Sequence, residues 1–246
     1  MLRSHLRRYG HLFHYVSILI RPSCLGLRMY GSSDIERVRD MFNRLGSFFT
    51  EASLWIWKIM QLNLIWLAHI LLGGVILGLF PATVSMFATT RKWLTGGLDS
   101  PILKDYHRYY RENFWKANGL GWIYVSLGAF LLFDLHLVTQ ITGMIALVST
   151  MLLLFLLLIY VFSFLYLFPY YVHFSQSFKQ YLIQPFIITV ISFKQNILVA
   201  IGLIMVGSLI YQMPGLIPFV PGVMPAYWVM KVSMNRYKEM QLTHSH

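Results

Sequence analysis

Acidic residues are scarce in this sequence. Nine Asp and Glu stand against twenty Lys and Arg in 246 residues, and charged side chains of both signs reach only 12%, about half the share usual in a soluble globular chain. Cysteine is almost missing: Cys24 stands alone, which excludes an intramolecular disulfide and any CxxC or zinc-type cluster. No HExxH, GxSxG or P-loop pattern occurs, and no pair of carboxylates lies inside an apolar run. Hydrolase, intramembrane protease and ATPase chemistry therefore have no residues to stand on. The expectation is a protein that is not an enzyme and carries no cofactor or metal.

What the chain has in excess is apolar surface. Apolar residues make up 57% and the mean hydropathy is +0.59, distributed over several long runs with short polar segments between them. Runs of this kind predict an all-α, polytopic transmembrane bundle with no separate soluble domain. The net charge of +11 matches the electrostatic footprint of a nucleic-acid binder. Here, however, the basic residues flank the apolar runs, where an excess of Lys and Arg marks the cytoplasmic side of a bilayer. The expected partner is the lipid bilayer, and nucleic acid is not expected.

Residues 1–28 (MLRSHLRRYGHLFHYVSILIRPSCLGLR) hold five Arg and no acid, and their apolar stretch, Leu12 to Ile20, is too short to span. Three readings stay open: an interfacial basic helix, a signal-like segment without a small-residue cleavage site, or upstream sequence translated from a start codon placed too early. The last is preferred, because Met29 opens a cleaner protein. From Ser32 the residues SSDIE have the form of a capped helix start. Ile35, Val38, Met41, Phe42, Leu45 and Phe49 then recur at three- and four-residue spacing. Residues 29–52 are thus expected to form an amphipathic helix at the membrane surface.

The stretch LNLIWLAHILLGGVILGLFPATVSMF, residues 62–87, carries no charge yet holds Gly73, Gly74, Gly78 and Pro81 in its middle. Apolar character extends over residues 53–88, about 54 Å of helix at 1.5 Å per residue, against a hydrocarbon core of about 30 Å. Nine Lys and Arg precede residue 59 and six more lie in 91–116; placing both flanks in the cytoplasm requires an even number of crossings. A hairpin turning at Gly73–Phe80, with Pro81 opening the second helix, is the preferred reading; one kinked span over 53–90 is the alternative.

Further spans are expected at 118–140, 141–174, 196–212 and in VMPAYWVMKVSMNRYK at the end, with 175–195 a short interfacial or re-entrant segment broken by Pro185. This makes about six spans, both termini cytoplasmic, and outer loops without Lys or Arg. The domain organisation is a basic extension (1–28), the amphipathic helix (29–52), the transmembrane domain (53–240) and a tail (241–246).

Polar groups inside apolar runs are candidate functional residues because burying them is costly. Asn63 and His69 lie in the first span, where hydrogen bonding to a neighbouring helix is the plainer reading. Asp134 and His136 close the third; a carboxylate and an imidazole without a third ligand read as a polar helix end before they read as a cation site. The segment DYHRYYRENFWK, residues 105–116, mixes Tyr106, Tyr109, Tyr110, Phe114 and Trp115 with Arg108, Arg111 and Lys116. The aromatics are expected to lie along the membrane while the bases meet head groups. With Arg91, Lys92, Lys179 and Lys194, these cations are the candidate lipid or partner contacts.

The order of LNLIWL (62–67), FPATVSMFATTRKWL (80–94), NFWKANGLGWI (113–123) and FDLHL (133–137) resembles the YesL family of bacterial integral membrane proteins. The likeness covers roughly residues 41–240; residues 1–28 fall outside it. The resemblance implies a membrane protein of Gram-positive type without assigned chemistry, associated with carbohydrate uptake. Its implied role is an accessory or permease-like component of the cell membrane, with sugar ABC-transporter subunits as candidate partners. A stand-alone transporter or channel for a small solute is the alternative.

Overall fold

The computed structural model describes residues 32–96 and 102–243, and every regular element among them is helical. The 1–28 extension lies outside the described residues. The helices are α1 Ser32–Leu72, α2 Leu79–Gly96, α3 Ile102–Val138, α4 Met144–His173, α5 Phe178–Ile191, α6 Phe193–Gln212 and α7 Val223–Thr243, with a 3₁₀ turn at Pro214–Leu216. Two units divide the chain between Leu54 and Trp55.

In the first unit, α1 presents Met41, Phe42, Leu45, Phe48 and Phe49 with at least 44% of each side chain exposed. Their spacing places them on one stripe of the helix; the segment expected as a helix of its own over 29–52 continues without a break into the first span, within one helix of 41 residues. Phe48 belongs to the stripe beside the residues read from the sequence.

In the second unit, the 62–87 stretch is two helices. Residues 73–78 form a turn in which the Val75 N–H reaches the Ile70 carbonyl at 2.9 Å. The helices then run antiparallel: Trp55 stacks edge-on to Trp93 with ring centroids 6.0 Å apart, and Trp66 Nε1 donates to Thr83 Oγ1 at 3.4 Å. The glycines are needed for contact as well as turning. A Cβ on Gly78 would sit 2.4 Å from the Ile70 carbonyl oxygen, and one on Gly73 would sit 2.3 Å from the Gly78 Cα. Gly74 (φ 71°) and Val75 (φ 63°) both occupy the left-handed region, ordinary for glycine and strained for a β-branched residue. Pro81 is the third residue of α2, within the first turn, where the N–H it lacks has no intrahelical partner in any case.

Helix α2 packs against α3, α4 and α7 and is buried on nearly all sides, from Phe80 through Thr90 and at Trp93. Its hydroxyls are folded back onto its own carbonyls: Ser85 to Pro81, Thr89 to Ser85 and Thr90 to Phe87, at 2.8–3.0 Å. Helix α7 likewise buries Val223, Val229, Met230 and Tyr237 and carries Lys231, Arg236, Lys238 and Glu239. Four helices among the described residues are long and apolar enough to cross a membrane: α1 over Arg39–Leu72, α3, α4 and α6. These are four of the six expected spans; α2 and α7, the other two, are not among them and pack largely against protein, where polar side chains are tolerated that lipid would not accept.

The sequence reading starts the next helix at residue 118; the structure starts it at Ile102. Helix α3 runs 37 residues, about 55 Å, because Ile102, Tyr106, Tyr110, Ala117, Leu120 and Tyr124 continue one buried stripe through the charged segment. Residues 102–117 are therefore an arm of the bundle. Helix α4 pairs with it through Tyr160 Oη, which donates to the Tyr124 carbonyl at 2.9 Å, and Tyr171 Oη, which donates to Asn113 Oδ1 at 2.8 Å. Helix α5, 14 residues or about 21 Å, is too short to span and is capped by Ser177, whose N–H reaches Gln180 Oε1 at 3.1 Å. Helix α6 follows after the single break at Ser192, and Trp228 Nε1 of α7 donates to its Leu198 carbonyl at 2.9 Å. The Trp228 ring fills the space left by the missing side chain of Gly202.

Candidate functional site

The hairpin tip gathers the polar groups of the first span. Asn63 is fully buried: its Nδ2 donates to the Pro218 carbonyl at 2.7 Å, and its Oδ1 accepts from the Gly222 N–H at 3.1 Å. One side chain thus satisfies two backbone groups of the proline-rich α6–α7 connection, where proline breaks the helix and leaves such groups without intrahelical partners. This is the interhelical bonding expected from the sequence, with loop backbone as the partner.

His69, 5% exposed, lies one and a half turns further along α1. Its Nδ1 is 2.9 Å from the Ile65 carbonyl, which can only accept, so Nδ1 carries the proton and Nε2 the lone pair. That lone pair faces Nδ1 of His107 on α3 at 3.3 Å, which makes His107 the donor. The ring of His69 also sits 4.8 Å from Tyr106 and 5.0 Å from Tyr110, centroid to centroid. Tyr106 Oη donates to the Ala82 carbonyl at 2.7 Å, and Tyr110 Oη rests against Gly73 without a hydrogen-bond partner. Asn118 closes the far side, its Nδ2 donating to the Leu77 carbonyl at 2.9 Å.

The arrangement links an exposed imidazole to a buried one. His107 is exposed on a face of α3 shared with Lys104, Arg108, Arg111 and Glu112, and its contact with His69 joins that face to the interior. The sequence reading names His69 but misses His107, 38 residues away in a charged segment. The signal was present in its neighbours, since Tyr106 and Tyr110 fall on the apolar stripe that brings this turn of α3 against α1. Tyr106 and Tyr110 accordingly face the bundle and not the membrane; of the aromatics expected on the surface, Trp115 is 79% exposed.

The other candidates separate. Asp134 and His136, two residues apart on α3, point to different sides of the helix, and His136 Nε2 lies 3.4 Å from Gln140 Nε2. No cluster of three metal-ligating side chains occurs among the described residues. Lys92 pairs with Asp105, which also accepts from Arg108 at 3.2 Å, and Arg91 donates through Nη1 to the Val172 carbonyl at 2.9 Å. Arg111, Lys116, Lys179 and Lys194 are exposed, and no carboxylate pairs with them among the described residues.

The chain is similar to known proteins over most of its length. The model of the family described as "Protein of unknown function, DUF624" matches residues 59–135, the segment holding the hairpin, the histidine pair and Asp134. The uncharacterized protein YesV of Bacillus subtilis (strain 168) is 33% identical over 162 residues, covering 66% of this chain and 78% of that protein. From the same organism, the uncharacterized protein YteU is 28% identical over 178 residues (72% of this chain, 80% of that protein). The uncharacterized protein YesL is 28% identical over 203 residues (82% and 94%). No solved structure matches.

Proposed function

We propose, from the premise that the chain belongs to the YesL-like DUF624 family, that it is a non-catalytic accessory or permease-like component of a carbohydrate-uptake system in the cell membrane. The carbohydrate assignment rests on the resemblance read from the sequence. The observation that carries the accessory role is the pairing of a filled interior with an exposed cationic edge. Tyr106, Tyr124 and Leu62 are fully buried between the helices, as a packed scaffold requires. Arg111 and Lys116 on α3, Lys179 on α5 and Lys194 on α6 project outward, where they are available to the acidic surface of a partner subunit or to anionic head groups.

Affinity purification of the C-terminally tagged protein from mild-detergent membranes, followed by mass spectrometry, tests this reading. The expected result is recovery of sugar ABC-transporter permease subunits in near-equal amounts, reduced when Lys179 and Lys194 are changed to Glu. Recovery of the protein alone would overturn it.

One observation favours a second reading, a stand-alone proton-coupled carrier for a small solute: the hydrogen bond between exposed His107 and buried His69. Proton-driven uptake into liposomes that is lost in His69→Ala would establish it in place of the first.

A further inference from the structure

A second polar cluster lies away from the histidine pair, where α2, α4 and α7 pack together. Seven buried side-chain polar atoms find no hydrogen-bond partner among the described residues, and four of them belong to this cluster: Arg91 Nε, Tyr166 Oη, His173 Nδ1 and Tyr237 Oη. The side chains are neighbours. The His173 ring centroid is 4.9 Å from that of Tyr237, and Arg91 holds the carbonyl of Val172, the residue before His173. The Arg91 charge acts on His173 and the Arg236 charge on Tyr166. Tyr166 and Tyr237 are both 0% exposed, whereas Arg91, His173 and Arg236 are half-buried at the edge. Tyr237 lies near Ser233 without hydrogen-bond geometry to it; the Ser233 hydroxyl is turned to the Val229 carbonyl at 2.7 Å.

Buried polar atoms without partners are rare, because each has given up its hydrogen bonds to water without replacement. Four together, all able to donate, are complementary to a group that only accepts. The charge agrees: two guanidiniums border the cluster, and guanidinium is the side chain best shaped for oxyanions. Arg236 donates through Nε to Ser192 Oγ at 3.0 Å and through Nη1 to Glu239 at 3.2 Å, a carboxylate that is itself 58% exposed, which leaves the Arg236 Nη2 for a ligand. A carboxylate ligand offers two oxygens to these donors. Inorganic phosphate offers four oxygens arranged tetrahedrally, and a phosphodiester headgroup two free and two esterified ones in the same arrangement, so either reaches donors arriving from three helices.

We propose that Arg91, Tyr166, His173, Arg236 and Tyr237 form a binding site for a phosphoryl group, supplied either by an anionic phospholipid headgroup or by free phosphate. The hydroxyls form the floor and the guanidiniums the rim. The site is independent of the transport reading, since a partnerless protein has the same cluster.

Tyr→Phe substitutions test it, because they remove the two hydroxyls and keep the packing. Full-length wild type and Y166F/Y237F are purified in detergent and checked for equal elution on size exclusion. Each is titrated with inorganic phosphate while thermal unfolding is followed. Each is also reconstituted with and without phosphatidylglycerol and examined by native mass spectrometry. If free phosphate is the ligand, it raises the melting temperature of wild type, and the double variant binds about 100-fold more weakly, tenfold for each charge-assisted hydrogen bond lost. If a headgroup is the ligand, phosphatidylglycerol stays bound to wild type and is lost from the variant while inorganic phosphate does nothing. Absence of both effects, or equal binding by the two proteins, would overturn the proposal and leave internal water as what serves these hydroxyls. Arg91→Lys, which keeps the charge and loses the fork, is expected to bind phosphate at least tenfold more weakly than wild type.

Discussion

The two helical hairpins of the second unit, α1–α2 and α3–α4, are built on opposite plans. The first is closed by a turn in which backbones touch, and its polar groups, Asn63, His69, Ser85, Thr89 and Thr90, are all buried and tied to carbonyls, an N–H or another ring. The second is joined by residues 139–143, and beyond the join Met144, Ile145, Val148, Met151, Leu152 and Phe155 are each more than half exposed. The comparison teaches that hydropathy reports the medium a helix faces. A helix held inside the bundle can be polar if each group has a partner, whereas one facing lipid can leave none.

Four substitutions break or sharpen this contrast. Gly78→Val is expected to do the most damage, because its Cβ would lie 2.4 Å from a backbone oxygen that cannot step aside. The cost is about 3 kcal/mol, read as a lower unfolding temperature in detergent and loss of monodisperse protein. Asn63→Leu follows at about 2–3 kcal/mol, since it leaves the Pro218 carbonyl and the Gly222 N–H buried without partners; limited proteolysis across residues 213–222 should report the freed connection. Val75→Gly is expected to stabilise by about 1 kcal/mol by relieving a β-branched residue at φ 63°, visible as a raised unfolding temperature. Leu154→Ala, on the exposed half of α4, should change stability by less than about 0.5 kcal/mol. If Leu154→Ala matched Asn63→Leu in cost, the exposed face of α4 would have to be a protein contact.

Particular residues show how far the sequence could be read. The α1–α2 hairpin was legible because Gly73, Gly78 and Pro81 are chain punctuation, and charge on both flanks gave a separate vote for an even number of crossings. The start of α3 was not. Lys104, Arg108, Arg111 and Glu112 look outward and dominate any hydropathy average, while the buried stripe beneath them consists of tyrosines, which pattern reading assigns to a membrane interface. Helices α2 and α7 stand apart from the four longer apolar helices because their apolar residues face protein. At the candidate site, His69 was marked by its isolation in an apolar run, yet its partner sits in a segment where a histidine attracts no notice. The phosphoryl cluster was illegible altogether: Arg91 and Arg236 read as topology signals, and which hydroxyls lack partners is a property of packing.

The amide of Asn63 has a consequence in time. Its two partners lie 155 and 159 residues further along the chain, so the first hairpin is made long before the residues that complete it exist. At about 5–20 residues per second of synthesis, the side chain waits on the order of ten to thirty seconds with its hydrogen-bonding capacity unmet. Arrival of Pro218 and Gly222 supplies its partners, so a single side chain ties the first hairpin to the connection that leads into the last helix.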